Sequence, residues 1–387
     1  MTTRAELEHA IDEDPDDDAR RMVLADWLQQ HGDPHGELAI VQHALATQPT
    51  EQLRGREQAL IEQVLGDLWT FVESSREADH QHHYKVHGMD PIWRLGFLDN
   101  VRISDWERLQ DCAPEDDDEF DLSSLLKLVA AHPAARFLRA LRFGQTTYDA
   151  TPHYQPLLDA LVECELPRLR SLELGALDFR MGEMELSWVA LGNVGNVARR
   201  FPQLHELVLW GACAHPDGAA LALGTVELPE LRRFALRTTD LKRDILREIV
   251  AAQWPKLGSL TVWFGDANYG CEVTPDDVAP LLATPLPLTE LGLGNCEFTD
   301  DLVEPLALSD VLPRLRTLDL SCGTLTDEGA EILLDHAQAF AHLDHLVLDR
   351  CHLSDAAART IAGICRTVSV AEQRELLDGE RFVAVHE

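Results

Sequence analysis

A chain of 387 residues with 45% hydrophobic content is long enough for one large core or for two or three ordinary ones. Its 67 acidic residues against 33 basic ones leave a formal charge of −34, so the average surface repels phosphate backbones and anionic lipid headgroups. That balance speaks against nucleic acid and membrane as partners, and it gives a basic partner long-range attraction.

The first residues run into a polar amphipathic segment without an apolar secretory region, and no apolar stretch is long enough to span a bilayer. The eight cysteines form no CxxC pair and read as reduced, small and buried side chains. Together these features imply a cytoplasmic location.

Helical periodicity opens the chain: Leu7 with Ile11, then Met22 to Leu24 with Leu28, then Leu38, Val41 and Leu45. His31-Gly32-Asp33-Pro34 separates the second helix from the third, with glycine just past a helix end and proline forbidding continuation. Asp12 to Asp18 holds five aspartates and one glutamate but lacks the central glycine and distal glutamate of a calcium loop, so these acids read as helix caps. The segment is similar to the repeat-companion domain, a short module found in front of leucine-rich repeats in some bacteria. The residues that carry the resemblance are Asp14 to Arg20, Leu24 to Leu38 and Gln42. It implies company with repeats, and no activity.

A further amphipathic helix is expected from Leu53 to Phe71. The run from Ile92 to Ile103 contains Trp93-Arg94-Leu95-Gly96-Phe97, which resembles the W-x-x-G-F strand that follows the companion module. Its residues read as a glycine-kinked apolar strand capping the open end of a solenoid. Between these lie His80, His82, His83 and His87 with Asp79, a histidine cluster in a polar link without a cysteine partner; it reads as a loop, and no metal or other cofactor is assigned. Asp116, Asp117, Asp118 and Glu119 read as a solvated acidic loop before a helix over Leu122 to Ala131.

A short phrase then recurs eight times, two apolar residues one position apart: Leu141/Phe143, Leu172/Leu174, Leu207/Leu209, Phe234/Leu236, Leu260/Val262, Leu291/Leu293, Leu318/Leu320 and Leu346/Leu348. By subtraction of residue numbers the phrases start 26 to 35 residues apart, a period that marks a solenoid whose units bury their apolar faces only against neighbours. Five phrases are preceded by an apolar residue, proline, any residue and leucine, as in Phe201-Pro202-Gln203-Leu204 and Leu312-Pro313-Arg314-Leu315. Proline ends the preceding helix there and sets an extended entry to the strand. After the strands come helices with readable starts: Thr274-Pro275-Asp276-Asp277 is a capping box, and Thr299, Thr326 and Ser354 offer capping oxygens.

This strand, turn and helix unit resembles the long leucine-rich repeat seen in ribonuclease inhibitor, best over Leu315 to Ala330. The asparagine or cysteine of that pattern is kept as Cys296 and Cys351 but replaced by Ala212, Thr239 and Gly323, so an irregular curvature is expected. The resulting fold class is α/β: a leucine-rich-repeat solenoid with parallel strands on the concave face and helices on the convex face, behind a small helical N-terminal domain. The expected segments are a helical domain over 1–48, a helical connector over 49–86, a solenoid cap over 87–135, repeats over 136–365 and a C-terminal cap over 366–387. In that last cap, Leu376 to Val385 reads as a helix end, a glycine turn and a short strand.

Strand alternation sends the leucines inward and the residues between and after them onto the concave sheet. One column then reads Arg142, Glu173, Val208, Ala235, Thr261, Gly292, Asp319, Val347, and another Gly144, Gly175, Trp210, Arg237, Trp263, Gly294, Ser321, Asp349. Trp210, Arg237 and Trp263 fall on consecutive strands roughly 5 Å apart, near enough for the arginine to stack between two indoles. Tryptophan and arginine are the residue types most enriched at binding hot spots, and Ala235, Gly292 and Gly294 are expected to leave accessible backbone beside them.

The candidate partner site is therefore Trp210, Arg237 and Trp263, extended by Arg142, Glu173, Glu206, Arg233, Asp319, His345 and Asp349. The alternative for the tryptophans is burial under the loop from Gly265 to Val273. No nucleophile elbow, phosphate loop, dinucleotide fingerprint or HExxH motif appears, so a non-catalytic protein-binding scaffold is expected. Two other readings are an acidic inhibitor or immunity protein that neutralises a basic enzyme or toxin, and a metal-dependent enzyme around the histidines.

Overall fold

The structure, a computed structural model, describes residues 2–77, 86–106, 121–144, 146, 153–176, 186–214, 219–376 and 380–385. The histidine run from His80 to His83 and the acidic run from Asp116 to Glu119 lie outside them. The chain divides into two compact units, the first Met1–Gly144 with Glu163–Leu169, the second Gln145–Val162 with Arg170–Glu387.

Unit 1 begins with helices α1 (Arg4–Glu13), α2 (Asp18–Gln30), α3 (Pro34–Thr47), α4 (Glu51–Leu65) and α5 (Trp69–Glu77). The expected single helix over Leu53 to Phe71 is two helices, because Gly66 takes a φ of 53° and a 3₁₀ turn follows it. Thr3 and Glu6 cap α1 reciprocally, Asp17 accepts from the Ala19 amide at 2.8 Å to start α2, and Asp33 caps α3 with Pro34 in the first helical position. Three other acids of that run are held by arginines: Asp16 pairs with Arg94 and Arg139 at 3.2 and 2.6 Å, Asp18 with Arg94 at 2.8 Å, and Asp12 with Arg168.

The expected kinked strand is a hairpin instead. Strands β1 (Val86–Arg94) and β2 (Phe97–Trp106) pair antiparallel about Leu95 and Gly96, whose φ angles of 46° and 87° are those of a two-residue primed turn. Leucine gives no turn signal at the first of these positions, which hid the hairpin. Gly96 is required there, since a β-carbon would sit 2.4 Å from the His35 carbonyl oxygen, and its amide donates to Gln42 Oε1 at 2.8 Å. Phe97 then stacks on His35 and meets Phe137 edge-on within a core of Ile11, Leu24, Leu28, Phe97 and Phe137. The residues of the companion-module resemblance thus meet through the docking of this turn on α3. Helix α6 (Leu122–Ala131) has the expected bounds, and β3 (Ala140–Phe143) pairs parallel with β2.

Unit 2 is a leucine-rich-repeat solenoid. Its elements run α7 (Gln155–Glu163), β4 (Ser171–Leu174), α8 (Val194–Arg200), β5 (Glu206–Trp210), β6 (Arg233–Arg237), α9 (Arg243–Ala251), β7 (Ser259–Gly265), α10 (Pro275–Leu282), β8 (Glu290–Cys296), α11 (Thr299–Ala307), β9 (Thr317–Asp319), α12 (Asp327–Asp335), α13 (Ala337–Phe340), β10 (His345–Val347), α14 (Asp355–Ile361) and β11 (Val368–Ser369). β4 to β11 lie side by side in chain order, each parallel to the next. The apolar phrases are in register, with Leu207, Phe234, Leu260, Leu291, Leu318 and Leu346 forming one fully buried row.

The apolar-Pro-x-Leu segments before β5, β6, β7 and β9 are turns closed from the leucine amide to the apolar residue's carbonyl, at 3.0 to 3.1 Å, with proline at the second position and both ends buried. After the strands, Asn295, Cys322 and Arg350 stand two residues beyond Leu293, Leu320 and Leu348, and all three have left-handed φ angles of 50 to 63°. Three non-glycine residues in that conformation at one repeat position mean that the fold, and not the residue type, imposes it. Thr299 does not cap α11 as expected: its hydroxyl donates to the Cys296 carbonyl and accepts from the Thr324 amide, tying two repeats together.

The expected helix end and turn at 377–379 lie outside the described residues, and among those described after β11 no further strand is formed. β11 is the last strand of the sheet, and residues 382–385 are held by the Ala384 amide donating to the Cys322 carbonyl at 2.8 Å and by side chains, with Asn295 exchanging two hydrogen bonds with the Val385 backbone at 2.8 and 2.9 Å and Arg374 donating to the Val383 carbonyl.

Candidate functional site

The register of unit 2 sets Glu173, Val208, Ala235, Thr261, Gly292, Asp319 and Val347 opposite one another from β4 to β10, and Trp210 opposite Arg237. Alternation therefore brings Trp210, Arg237 and Trp263 to one side of three adjacent strands. All three side chains are half-buried. The Arg237 guanidinium carbon lies 4.2 Å from the Trp210 ring centre and 5.7 Å from that of Trp263.

The indoles do not sandwich the arginine as parallel plates. They lean together across β6 and meet edge-on, with centroids 5.8 Å apart and planes at 72°, the arrangement that the quadrupoles of two rings favour. Burial, and behind it the positive charge of Arg233, hold the Arg237 pKa below the usual arginine value, against the pull of Asp319 and Glu173.

Glycines flank the aromatic row at both ends. A β-carbon on Gly175 would come within 2.2 Å of the Trp210 carbonyl oxygen and 2.7 Å of its β-carbon, and one on Gly294 within 2.8 Å of the Trp263 indole nitrogen. Gly292, Gly294 and Ala235 are consequently buried and do not leave accessible backbone, because Thr261 and Trp263 side chains lie over the two glycines. Their smallness makes room for the rings. The loop from Gly265 to Val273 is anchored towards the β6–α9 connection, with the Asp266 amide donating to the Thr239 carbonyl, the Glu272 amide to that of Leu241, and the Lys242 ammonium to the Gly270 carbonyl at 2.6 Å.

The outlying candidates fall into three groups. Arg142 stands on β3 in unit 1, apart from the other nine by unit assignment. Glu206 and Arg233, opposite each other on β5 and β6, form an ion pair at 3.5 Å, and Glu206 also accepts from the Ser171 hydroxyl at 2.8 Å. Ser171 was missed, although the register of the phrases puts it beside Glu206. Glu173, Asp319, Asp349 and His345 complete the set. Asp319 accepts from the Ser321 amide at 2.9 Å and serves the turn after its own strand, while Asp349 accepts from the Ser369 hydroxyl at 2.6 Å and the Ala371 amide at 2.7 Å and so ties the end of β10 to β11 and the segment beyond it. His345 is exposed.

Elsewhere in the unit, a cleft of about 980 Å³ is lined by Asp327, His352, Arg374, Glu375 and Arg381 among others. Its most buried cation, Arg374, already donates to the carbonyls of Arg350, Gly323, Val383 and Phe382. Asp240, buried beyond β6, accepts from the amides of Cys213 and Ala214 and from the Thr238 hydroxyl; burial nonetheless raises its pKa. Among the described residues no three His, Cys, Asp or Glu side chains are grouped to hold a metal ion, and no helix is long and apolar enough to cross a membrane.

The comparisons agree with this architecture. A leucine-rich-repeat family model matches residues 312–334, which cover the turn before β9, that strand and most of α12. A crystal structure of a protein from Bacteroides fragilis, a structural genomics target, is similar at 25% identity and a TM-score of 0.61, over 69% of this chain and 73% of that one. An internalin C2 from Listeria monocytogenes aligns over 58% of this chain and 78% of its own at 13% identity, with a TM-score of 0.28 that is too low to bear on this chain. No curated protein matches. The chain is a leucine-rich-repeat protein with a helical region in front of its repeats.

Proposed function

We propose that the repeats form a non-catalytic scaffold that binds a protein partner on the strand face, with its contact centre at Trp210, Arg237 and Trp263. The observation that carries the reading is the convergence of two half-buried indoles and an arginine on three neighbouring strands, in a fold whose main product is an extended surface. Glu206, Arg233, His345, Glu173, Asp319 and Asp349 supply a polar surround, and a cytoplasmic location belongs to the same reading.

The test compares partners recovered by the intact chain and by a Trp210→Ala, Trp263→Ala variant shown to be folded by circular dichroism. Truncating a hot-spot aromatic weakens binding by about 2 kcal/mol or more, roughly 30-fold, so at least one partner should vanish from the variant. Recovery of every partner at undiminished yield would remove the site.

The net charge of −34 favours a second reading, an inhibitor that neutralises a basic enzyme or toxin. Its binding would fall steeply between low and physiological salt, whereas aromatic-centred binding would change little.

A further inference from the structure

Resting on the reading of Trp210, Arg237 and Trp263 as a contact centre, we infer that the group seated there is a carboxylate, carried by a partner segment whose neighbouring side chain is apolar. Most charged residues of this face in unit 2 have partners, and Glu290, exposed on β8 in the row of Glu206 and Arg233, lies two strands from β6. Glu206 and Arg233 neutralise each other, Asp319 accepts from an amide of its own turn, Asp349 from Ser369 and Ala371 on and beyond the next strand, and Glu173 has a partner as well. Arg237 is the half-buried cation without a polar partner: among the described residues its guanidinium donates no hydrogen bond and forms no ion pair, and it lies against the two indoles.

The guanidinium carbon 4.2 Å from the Trp210 ring centre makes a cation–π contact, and its N–H groups, without a hydrogen-bond partner among the described residues, keep the fork geometry that matches a carboxylate. The half-burial of Arg237 beside the indoles lowers the local dielectric, which strengthens any charge-assisted bond that it makes. Several acids of the face already accept hydrogen bonds or an ion pair, and Arg237 keeps its donors, so the contact centre offers a partner donors in spite of the acidity of the whole chain. That overall charge sets the limit on the ligand. A polyacidic run or a phosphate backbone is repelled by −34, whereas one carboxylate beside an apolar side chain satisfies Arg237 and covers the rims of Trp210 and Trp263 together.

The experiment is a selection of random dodecapeptides on the full chain, run in parallel on Arg237→Gln, Arg237→Lys and the Trp210→Ala, Trp263→Ala pair. Peptides that depend on the tryptophans should be enriched in Asp, Glu or a free C-terminal carboxylate next to an aromatic or aliphatic residue. Arg237→Gln should abolish the acid enrichment, and Arg237→Lys should keep the charge preference with affinity about tenfold weaker for want of the fork. For one selected peptide, Glu→Gln and C-terminally amidated versions separate an internal acid from a terminal one; either carrying the effect supports the inference, and neither doing so overturns it.

Tryptophan-dependent peptides that are neutral or basic, or acid enrichment that survives in Arg237→Gln, overturn the inference and leave the contact centre intact. Selected peptides that are all indifferent to both tryptophans overturn the contact centre itself, and the carboxylate inference with it. Melting curves of the two arginine variants within a few degrees of the parent show that a loss reflects the site, and Arg237→Lys preserves the comparison if Arg237→Gln melts early.

Discussion

The glycines at the two ends of the aromatic row make the packing argument testable without touching either tryptophan. At Gly175 an alanine methyl meets backbone, the Trp210 carbonyl oxygen at 2.2 Å, and the φ of 74° is one that side-chain-bearing residues avoid. The left-handed conformation costs about 1–2 kcal/mol and overpacking against backbone a further 1–3 kcal/mol or so, giving about 2–5 kcal/mol of destabilisation for Gly175→Ala. At Gly294 the same methyl meets the Trp263 indole at 2.8 and 2.9 Å and the Ser321 carbonyl oxygen at 3.1 Å, without a positive φ. A half-buried indole can tilt, so Gly294→Ala should cost less than about 1 kcal/mol while displacing Trp263 from Trp210 and Arg237. Urea unfolding followed by circular dichroism measures the first effect, and acrylamide quenching of indole fluorescence the second. If Gly175→Ala proves no more destabilising than Gly294→Ala, the account of the row as rings held between backbone and glycine is wrong.

Other consequences are open to measurement. Asn295→Gly removes both hydrogen bonds to Val385 while keeping the left-handed backbone accessible, so the C-terminal segment should lose about 1–3 kcal/mol of local stability, read as faster amide exchange at Val385; unchanged exchange would count against the clasp. Burial raises the pKa of Glu8, but hydrogen bonds from Arg4 and Arg136 outweigh it and hold the carboxyl below its ordinary 4.5. A depressed folded pKa contributes stability above the unfolded value and loses it as pH falls through the folded one. Glu8→Gln should therefore destabilise unit 1 at pH 7 and cease to matter on acidification below 4.5, in unfolding curves across that range. Burial pushes the Cys271 thiol up to about 11, that of Cys351 up to about 12, and those of Cys213 and Cys296 higher still. At pH 8 an alkylating reagent should spare Cys213, Cys296 and Cys351 until the chain unfolds, as mapped by peptide mass; early labelling of any of them would contradict their burial.

Much of unit 2 was legible because a solenoid is local. Each unit packs on the next, so a phrase such as Leu260-Thr261-Val262 declares its strand, its inward residues and its register without knowledge of anything distant. Trp210, Arg237 and Trp263 could be put side by side for that reason. What alternation does not state is how the side chains lean: the edge-on meeting of the indoles, the burial of Ala235, Gly292 and Gly294, and the pairing of Glu206 with Arg233 arise between strands. Unit 1 was less legible. Leu95-Gly96 lacks the asparagine or aspartate that announces a primed turn, and its meaning comes from His35 and Gln42, more than fifty residues away.

The amino-acid sequence by itself determined the repeat, its period, the buried leucine rows and the helix starts at Thr274, Thr326 and Ser354, since each depends on residues within one turn or one strand. Tertiary structure decided which charges remain for a partner. Asp319 looks like a surface acid in sequence and is the acceptor for its own turn, Asp349 looks like another and is tied to the next strand, Thr299 looks like a cap and is a tie between repeats, and Arg237 looks like one arginine among many until its neighbours are known. Charge and hydrogen-bonding capacity belong to a residue, but whether they are already satisfied belongs to its surroundings, and those are assembled from parts of the chain that the local pattern does not connect.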